Sequence, residues 1–244
     1  MSGAPLGRWA KLRHHLASLY ALLGLGRNTN DVRYVFMIGN AQDSLAEPSR
    51  AARRMRDPFD EPDLEAMWQS RYCPRPYDLD TLLVLPEDSL GGAYARHMKG
   101  RGLRPDFYDE VLPRHRLHYL RLRLRQTHDV WHIVTGYDTD PVGEVGLQGF
   151  YFGQVTNGQS ALIFAGGMIR SLLIGNYRML ENFVRAFSEG YRAGQDARTL
   201  LAVRWEDLWA EPLEAVRRRF GVTTTAWHPE QQAWLSSPIS RGAP

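Results

Sequence analysis

The stretch His128-Asp129-Val130-Trp131-His132-Ile133-Val134-Thr135-Gly136-Tyr137-Asp138-Thr139-Asp140-Pro141-Val142-Gly143-Glu144 decides the reading of the fold. Residues 128–136 read as a helix that Gly136 can end. Tyr137 to Pro141 is a turn, and Asp140 or Pro141 opens a second helix over about Val142 to Thr156. His128 and His132 are four residues apart, so on a helix they share one face, one turn apart. The turn lets the second helix fold back beside the first. Glu144, twelve residues after His132, can then face both imidazoles from the opposite wall.

Two imidazoles that reach one point, with carboxylates nearby, suit a divalent cation. His128, Asp129, His132 and Glu144 are the candidate ligands. Nitrogen and oxygen donors fit zinc first, with iron, manganese or cobalt as alternatives. Asp129 lies about 100° round the helix from His128. It can ligate, or it can orient or deprotonate a water or phenol as the catalytic residue. Histidines at this spacing also occur as ordinary surface or core residues. His-Asp-x-x-His differs from the His-Glu-x-x-His of zinc peptidases by a shorter acid, which argues against peptide hydrolysis.

Working outward, helical periodicity dominates and points to an all-α, single-domain multi-helix bundle over 1–244, with the metal site between two consecutive helices. Leu12, Leu16, Leu19, Tyr20 and Leu23 line one face of a first helix that Gly24 and Gly26 should end. Asn30 or Asp31 caps a segment with Val32, Val35, Phe36 and Ile38. Short helices are expected over 44–56 and from Pro62 to Arg71, the latter with Leu64, Met67 and Trp68 inward. Pro74 to Asp80 reads as a loop. A helix should begin in Glu87-Asp88-Ser89-Leu90, with acids in its first turn. Leu117 to Arg125 alternates leucine and arginine, which alone reads as a strand, whereas its surroundings favour a helix. Helices are expected at roughly Ser160 to Gly175 and Asn176 to Ala193, then short elements at Trp205 to Trp209 and Pro212 to Phe220, and a frayed tail beyond Trp234.

Composition removes several classes. With 43% hydrophobic and 23% charged residues in 244, the chain can bury a core and is not of disordered type. A net charge of +3 is mild for a nucleic-acid protein, and no nucleic-acid partner is expected. The single Cys73 excludes an intramolecular disulfide. The apolar stretch from Ser160 to Gly175 carries Arg170 and is too short to span a bilayer. No secretory leader is visible, so a cytoplasmic protein, or one peripheral on the inner face of a membrane, is expected. Arg170, Arg178, Arg185 and Arg192 could align as a basic stripe for lipid phosphates, and Arg114 to Arg125 could lie on a membrane or partner. A solvated helix face explains the stripe equally well. The remaining histidines, including His97, read as surface or structural residues.

His128-Asp129-Val130-Trp131-His132, eleven residues and Glu144 resemble the His-Asp-x-x-His-x11-Glu signature of the coenzyme Q biosynthesis protein 4 family. Leu85-Pro86-Glu87-Asp88-Ser89-Leu90-Gly91-Gly92-Ala93-Tyr94, Gly143-Glu144-Val145 and Trp205-Glu206-Asp207-Leu208-Trp209-Ala210-Glu211-Pro212-Leu213 with Val216-Arg217 resemble further blocks of that family. They fall in the family's order over about 80–222. Where the family commonly has Lys and Glu after the metal-binding Glu, this chain has Gln148 and Tyr151, which could alter the substrate pocket or mark a branch with another substrate.

The resemblance implies a mostly helical, metal-binding protein acting on ubiquinone precursors, by oxidative decarboxylation at ring carbon C1 of a polyprenylated 4-hydroxybenzoate derivative. It also implies membrane association, other quinone-biosynthesis proteins as partners, and a homodimer. A prenyl tail needs an apolar groove. Phe150, Tyr151 and Phe164, with Arg170 for a phosphate, are the candidates, though for most of the apolar ones a plain core role is the stronger reading. The rival reading is a non-catalytic prenyl-binding scaffold whose metal staples two helices. A metal hydrolase would need an activated water and a polar cleft.

Overall fold

The computed structural model describes residues 8–27, 33–34, 37, 57–74, 77–105, 113, 115–155 and 158–224. Among them are ten α-helices: α1 (Arg8–Arg27), α2 (Pro62–Gln69), α3 (Leu79–Leu83), α4 (Leu90–Gly100), α5 (Arg116–Gln126), α6 (His128–Thr135), α7 (Pro141–Gln154), α8 (Gly158–Leu173), α9 (Tyr177–Asp196) and α10 (Leu213–Phe220). Two short 3-10 turns, Pro58–Asp60 and Trp205–Asp207, complete the described elements. The described residues form no β-strand, only one isolated bridge between Ser89 and Pro212.

The turn between α6 and α7 forms for local reasons. Gly136 ends α6 with φ of 80°, a left-handed geometry that glycine adopts without steric cost. Asp140 opens α7 by accepting from the backbone N–H groups of Val142 and Gly143, at 2.8 and 3.1 Å, and Pro141 occupies the first turn, where its missing N–H costs nothing. Only glycine fits at 143, since a Cβ there would stand 2.1 Å from the Asp138 carbonyl oxygen.

Helix α7 is the central strut. It packs along α9 so closely that a Cβ at Gly190 would fall 2.0 Å from the carbonyl oxygen of Gly146. The main core runs from Phe59 to Val222 and includes Trp131, Phe150 and Trp205, all fully buried. Burying each such side chain contributes about 1.5–3 kcal/mol.

The start of α4 docks against the segment before α10. Leu90 N–H donates to the Glu211 carbonyl (2.9 Å), Gly91 N–H to that of Trp209 (2.9 Å), and Leu213 N–H to that of Asp88 (2.8 Å). Trp209 then stacks on Tyr94 at 5.3 Å between ring centroids. Beneath this lies a polar knot. Glu206 accepts from the hydroxyls of Tyr72 and Tyr77 at 2.9 and 2.7 Å and pairs with the buried Arg123 at 3.4 Å.

Several sequence expectations are corrected. Helix α4 begins at Leu90, not at Glu87, and has no acid in its first turn; Ser89 caps it by accepting from Gly92 N–H at 3.0 Å. Leu79 and Asp80, expected in the loop, already belong to helix α3, because Asp78 caps it by accepting from Asp80 N–H. The Leu/Arg alternation is helix α5, with Tyr119, Leu120, Leu122 and Arg123 buried. Arg123 therefore belongs to the interior, not to a basic surface face. Gly24 and Gly26 do not end α1. The expected apolar face of that helix, Leu12, Leu16, Leu19, Tyr20 and Leu23, is largely exposed, and Ala21 is what it buries. Arg178, Arg185 and Arg192 lie exposed along α9, while Arg170 belongs to α8. The expected segment around Val32 to Ile38 falls mostly outside the described residues, and the helix over 44–56 and the tail beyond Trp234 wholly so.

Candidate metal centre

Two consecutive helices bring three of the four expected ligands together. His128 and His132 project from α6 with their Nε2 atoms 3.2 Å apart. Glu144, in the first turn of α7, places Oε1 3.2 Å from His132 Nε2 and Oε2 3.7 Å from His128 Nε2. Ligand atoms at the tetrahedral distances of about 2.0–2.1 Å from one ion are separated by about 3.3–3.4 Å, so the spacing of these three donors fits one coordination sphere. They are the one such grouping of histidine, cysteine, aspartate and glutamate among the described residues. Asp129 is half-buried and not part of it. Its negative charge is felt instead by His128, Tyr94 and His97.

Each imidazole is held from behind. His132 Nδ1 lies 2.8 Å from the Tyr137 carbonyl oxygen. A carbonyl only accepts, so Nδ1 carries a proton, and the neutral ring would turn its Nε2 lone pair to a cation bound between it and Glu144. His128 Nδ1 lies 3.2 Å from the hydroxyl of Tyr151. His132 is buried, whereas the side chains of His128 and Glu144 remain 26% and 37% exposed, so the grouping opens to solvent on one side.

The electrostatics point the same way. Burial alone would raise the Glu144 carboxyl, but hydrogen bonds and charge interactions with both imidazoles outweigh it and hold the group far below the usual carboxylate range. Burial would lower His128, yet its hydrogen bond to Glu144 and the charges of Glu144 and Asp129 raise it above an ordinary histidine. A pocket that stabilises an anion against two nitrogens, one of them favouring its protonated form, is complementary to positive charge. Two neutral imidazoles and one carboxylate are a donor set suited to a divalent ion, and three protein ligands leave a coordination position for water or substrate.

His97, which the sequence marks only as a surface or structural residue, lies next to the site. Its ring lies nearly parallel to that of His132 at 6.3 Å, and its Nε2 has no hydrogen-bond partner. Burial, followed by the charges of Arg101 and His132, lowers it to about 4, so it is neutral at physiological pH. It reaches the site from α4, 35 residues before His132, a separation that no local motif encodes. Arg217 on α10 is a second contributor: its Nε and Nη2 donate to the carbonyls of Val134 and Ile133 at 2.9 and 2.8 Å, tying down the end of α6.

Of the residues expected to form a prenyl groove, Phe150 is fully buried against Trp131, and Phe164 stacks on Phe187 at 4.2 Å. Tyr151 is 5% exposed. Arg170 lies half-buried on α8. Phe150 fills the interior between helices, and Phe164 is half-buried in a second cluster around Phe183.

The family model described as "Coenzyme Q (ubiquinone) biosynthesis protein Coq4" matches residues 69–226, well over half of the chain. A relative from Aedes aegypti, named a mitochondrial ubiquinone biosynthesis protein COQ4 homolog, is 29% identical over 150 residues, covering 61% of this chain and 54% of the relative. One from Coprinopsis cinerea, named mitochondrial ubiquinone biosynthesis protein COQ4, is 26% identical over 165 residues, covering 67% and 54%. The chain thus spans about half the length of these curated relatives. A crystal structure from Nostoc punctiforme PCC 73102, described as a candidate ubiquinone biosynthesis protein, superposes with a TM-score of 0.70 at 31% identity, covering 86% of this chain and 99% of that one.

Proposed function

Because the chain belongs to the Coq4 family of coenzyme Q (ubiquinone) biosynthesis proteins, we propose that it acts in ubiquinone synthesis as a metal-dependent enzyme. The reaction is oxidative decarboxylation at ring carbon C1 of a polyprenylated 4-hydroxybenzoate-derived precursor. The observation that carries this reading is the convergence of His128, His132 and Glu144, with donor atoms 3.2 to 3.7 Å apart and an exposed rim.

These three residues would hold a divalent ion, zinc first, with iron, manganese and cobalt sharing the same donor chemistry. A bound ion would supply a Lewis acid for the substrate's carboxylate or neighbouring phenolic oxygen, stabilising the negative charge that passes to the ring and that oxygen as carbon dioxide leaves. Asp129 stands beside His128 in sequence and is free of the ligand grouping, which suits it to take or return a proton at the substrate hydroxyl. Zinc does not change oxidation state, so with zinc the oxidant is dioxygen acting on the electron-rich ring.

No described helix is long and apolar enough to cross a membrane. The polyprenyl substrate, other quinone-biosynthesis proteins, a second copy of the chain and peripheral attachment to a membrane are the partners this reading requires. The relatives' names make a mitochondrial or equivalent bioenergetic membrane the fitting place.

A second reading, a prenyl-binding scaffold with a structural metal, draws on the exposed apolar side chains Trp9, Leu172, Leu173, Ile174 and Tyr177. His132→Ala, assayed for bound metal and for conversion of a C1-carboxylated precursor, separates the two. Loss of metal together with turnover supports the enzyme. Wild-type protein that binds metal but converts nothing favours the scaffold, and full turnover without metal overturns both.

A further inference from the structure

Tyr151 follows Glu144 by seven residues on α7, two turns along the same face. Its ring is clamped: it stacks on Trp131 at 4.5 Å and lies parallel to the His128 imidazole, 12° apart with centroids at 6.1 Å. Its hydroxyl oxygen is 3.2 Å from His128 Nδ1. The other ring nitrogen of His128, Nε2, faces His132 Nε2 and Glu144.

A neutral imidazole has one N–H and one lone pair. If the Nε2 lone pair is to face a cation, the proton must be on Nδ1, and an acceptor must meet it there. For His132 that acceptor is the main-chain carbonyl of Tyr137, which no substitution can remove. For His128 the group facing Nδ1 is the Tyr151 phenol, a side chain that can accept or donate.

We propose that Tyr151 is a positioning residue of the metal centre: its hydroxyl oxygen accepts the Nδ1 proton of His128, fixing the ring orientation and the tautomer that presents Nε2. This rests on the metal-binding reading given above. A phenol accepts more weakly than a carboxylate and brings no charge. It therefore sets the tautomer while adding little electron density to the ligand, which preserves the electrophilicity of the bound ion.

The test is a Co2+ titration of the full chain followed by visible absorption, comparing wild type with Tyr151→Phe. The phenylalanine keeps the ring and its stack on Trp131 and removes only the oxygen. Affinity should fall about 10- to 100-fold, while the metal-free variant still unfolds cooperatively, with its thermal midpoint lowered only by the loss of one hydrogen bond. In parallel, long-range 1H–15N spectra of Zn2+-loaded wild type should show His128 protonated at Nδ1, an observation independent of how the variant folds. Equal Co2+ affinity in the two proteins, or a His128 proton on Nε2 in the loaded wild type, overturns the role of Tyr151 while leaving the metal site standing. Wild type that binds neither Co2+ nor Zn2+ overturns the metal site and this role with it.

Discussion

Arg217 donates from Nε to the carbonyl oxygen of Val134 across 2.9 Å, joining α10 to the end of the helix that carries both histidines. A second donor of the same guanidinium reaches Ile133 at 2.8 Å. The final carbonyls of a helix have no partners within it and carry partial negative charge, so a forked cation is suited to them. Arg217→Ala should cost about 2 kcal/mol, within the range for hydrogen bonds to charged groups. Arg217→Lys, with one point charge in place of the fork, should recover only part of this. Urea unfolding midpoints would read both.

The crossing of α7 and α9 depends on missing side chains. Gly190→Ala would set a Cβ 2.0 Å from the Gly146 carbonyl oxygen, and backbone cannot yield as a side-chain tip can. The expected loss is more than about 3 kcal/mol. Gly100→Ala meets nothing within 4 Å and should change stability by less than about 1 kcal/mol, in the stabilising direction. Thermal melts of the pair would show whether close helix approach, rather than glycine content, is what matters.

His97 is expected to make the fold less stable in acid. Its folded value of about 4 lies below the ordinary 6.5, so between these pH values the unfolded chain binds more protons than the folded one. The stability at stake is fully present above about pH 6.5 and is lost as pH falls toward 4. The loss is at most about 3 kcal/mol, reduced by partial solvent screening. Glu144, also depressed, adds to the loss at lower pH with the same sign. In chelator-treated protein, His97→Gln should flatten the dependence of the unfolding midpoint between pH 4 and 6.5. A slope identical to wild type would contradict the assignment.

Glu206 gathers two tyrosine hydroxyls and the buried Arg123 guanidinium, whose side chain is 2% exposed. Glu206→Ala leaves that cation without its counter-charge, a loss of about 3–5 kcal/mol. Glu206→Gln keeps acceptor oxygen but removes the charge and should fall between wild type and the alanine variant. The alanine variant should also relax Tyr77, which burial and then the Glu206 charge raise well above an ordinary tyrosine. Spectrophotometric titration of tyrosine together with denaturant melts measures both effects.

The helical class, and the placing of His128, His132 and Glu144 on two consecutive helices, were legible from local chemistry. His128 and His132 at a spacing of four, a glycine stop, an Asp-Pro start and Glu144 in the next first turn are all short-range signals, and short-range signals survive in one dimension. Where local signals compete, the local pattern misplaces an element. Acids at 87 and 88 suggested a helix start that the Ser89 cap sets one turn later, and the alternation in α5 mimicked a strand because Arg123 faces inward to Glu206. The same holds for α1, whose apolar residues suggested a buried face that the fold leaves largely exposed.

The sequence by itself determined that two helices would turn back on each other and present nitrogen and oxygen donors to a common point, because helix pitch and turn geometry follow from neighbouring residues. Only the tertiary structure decided which donors converge. It gathered Glu144 with the two imidazoles and left Asp129 aside, brought His97 in from α4, and placed a carbonyl behind one histidine and a phenol behind the other. Those choices depend on how α4, α7 and α10 pack around α6. Packing is a sum of many contacts distant in sequence, none of which has a local signature.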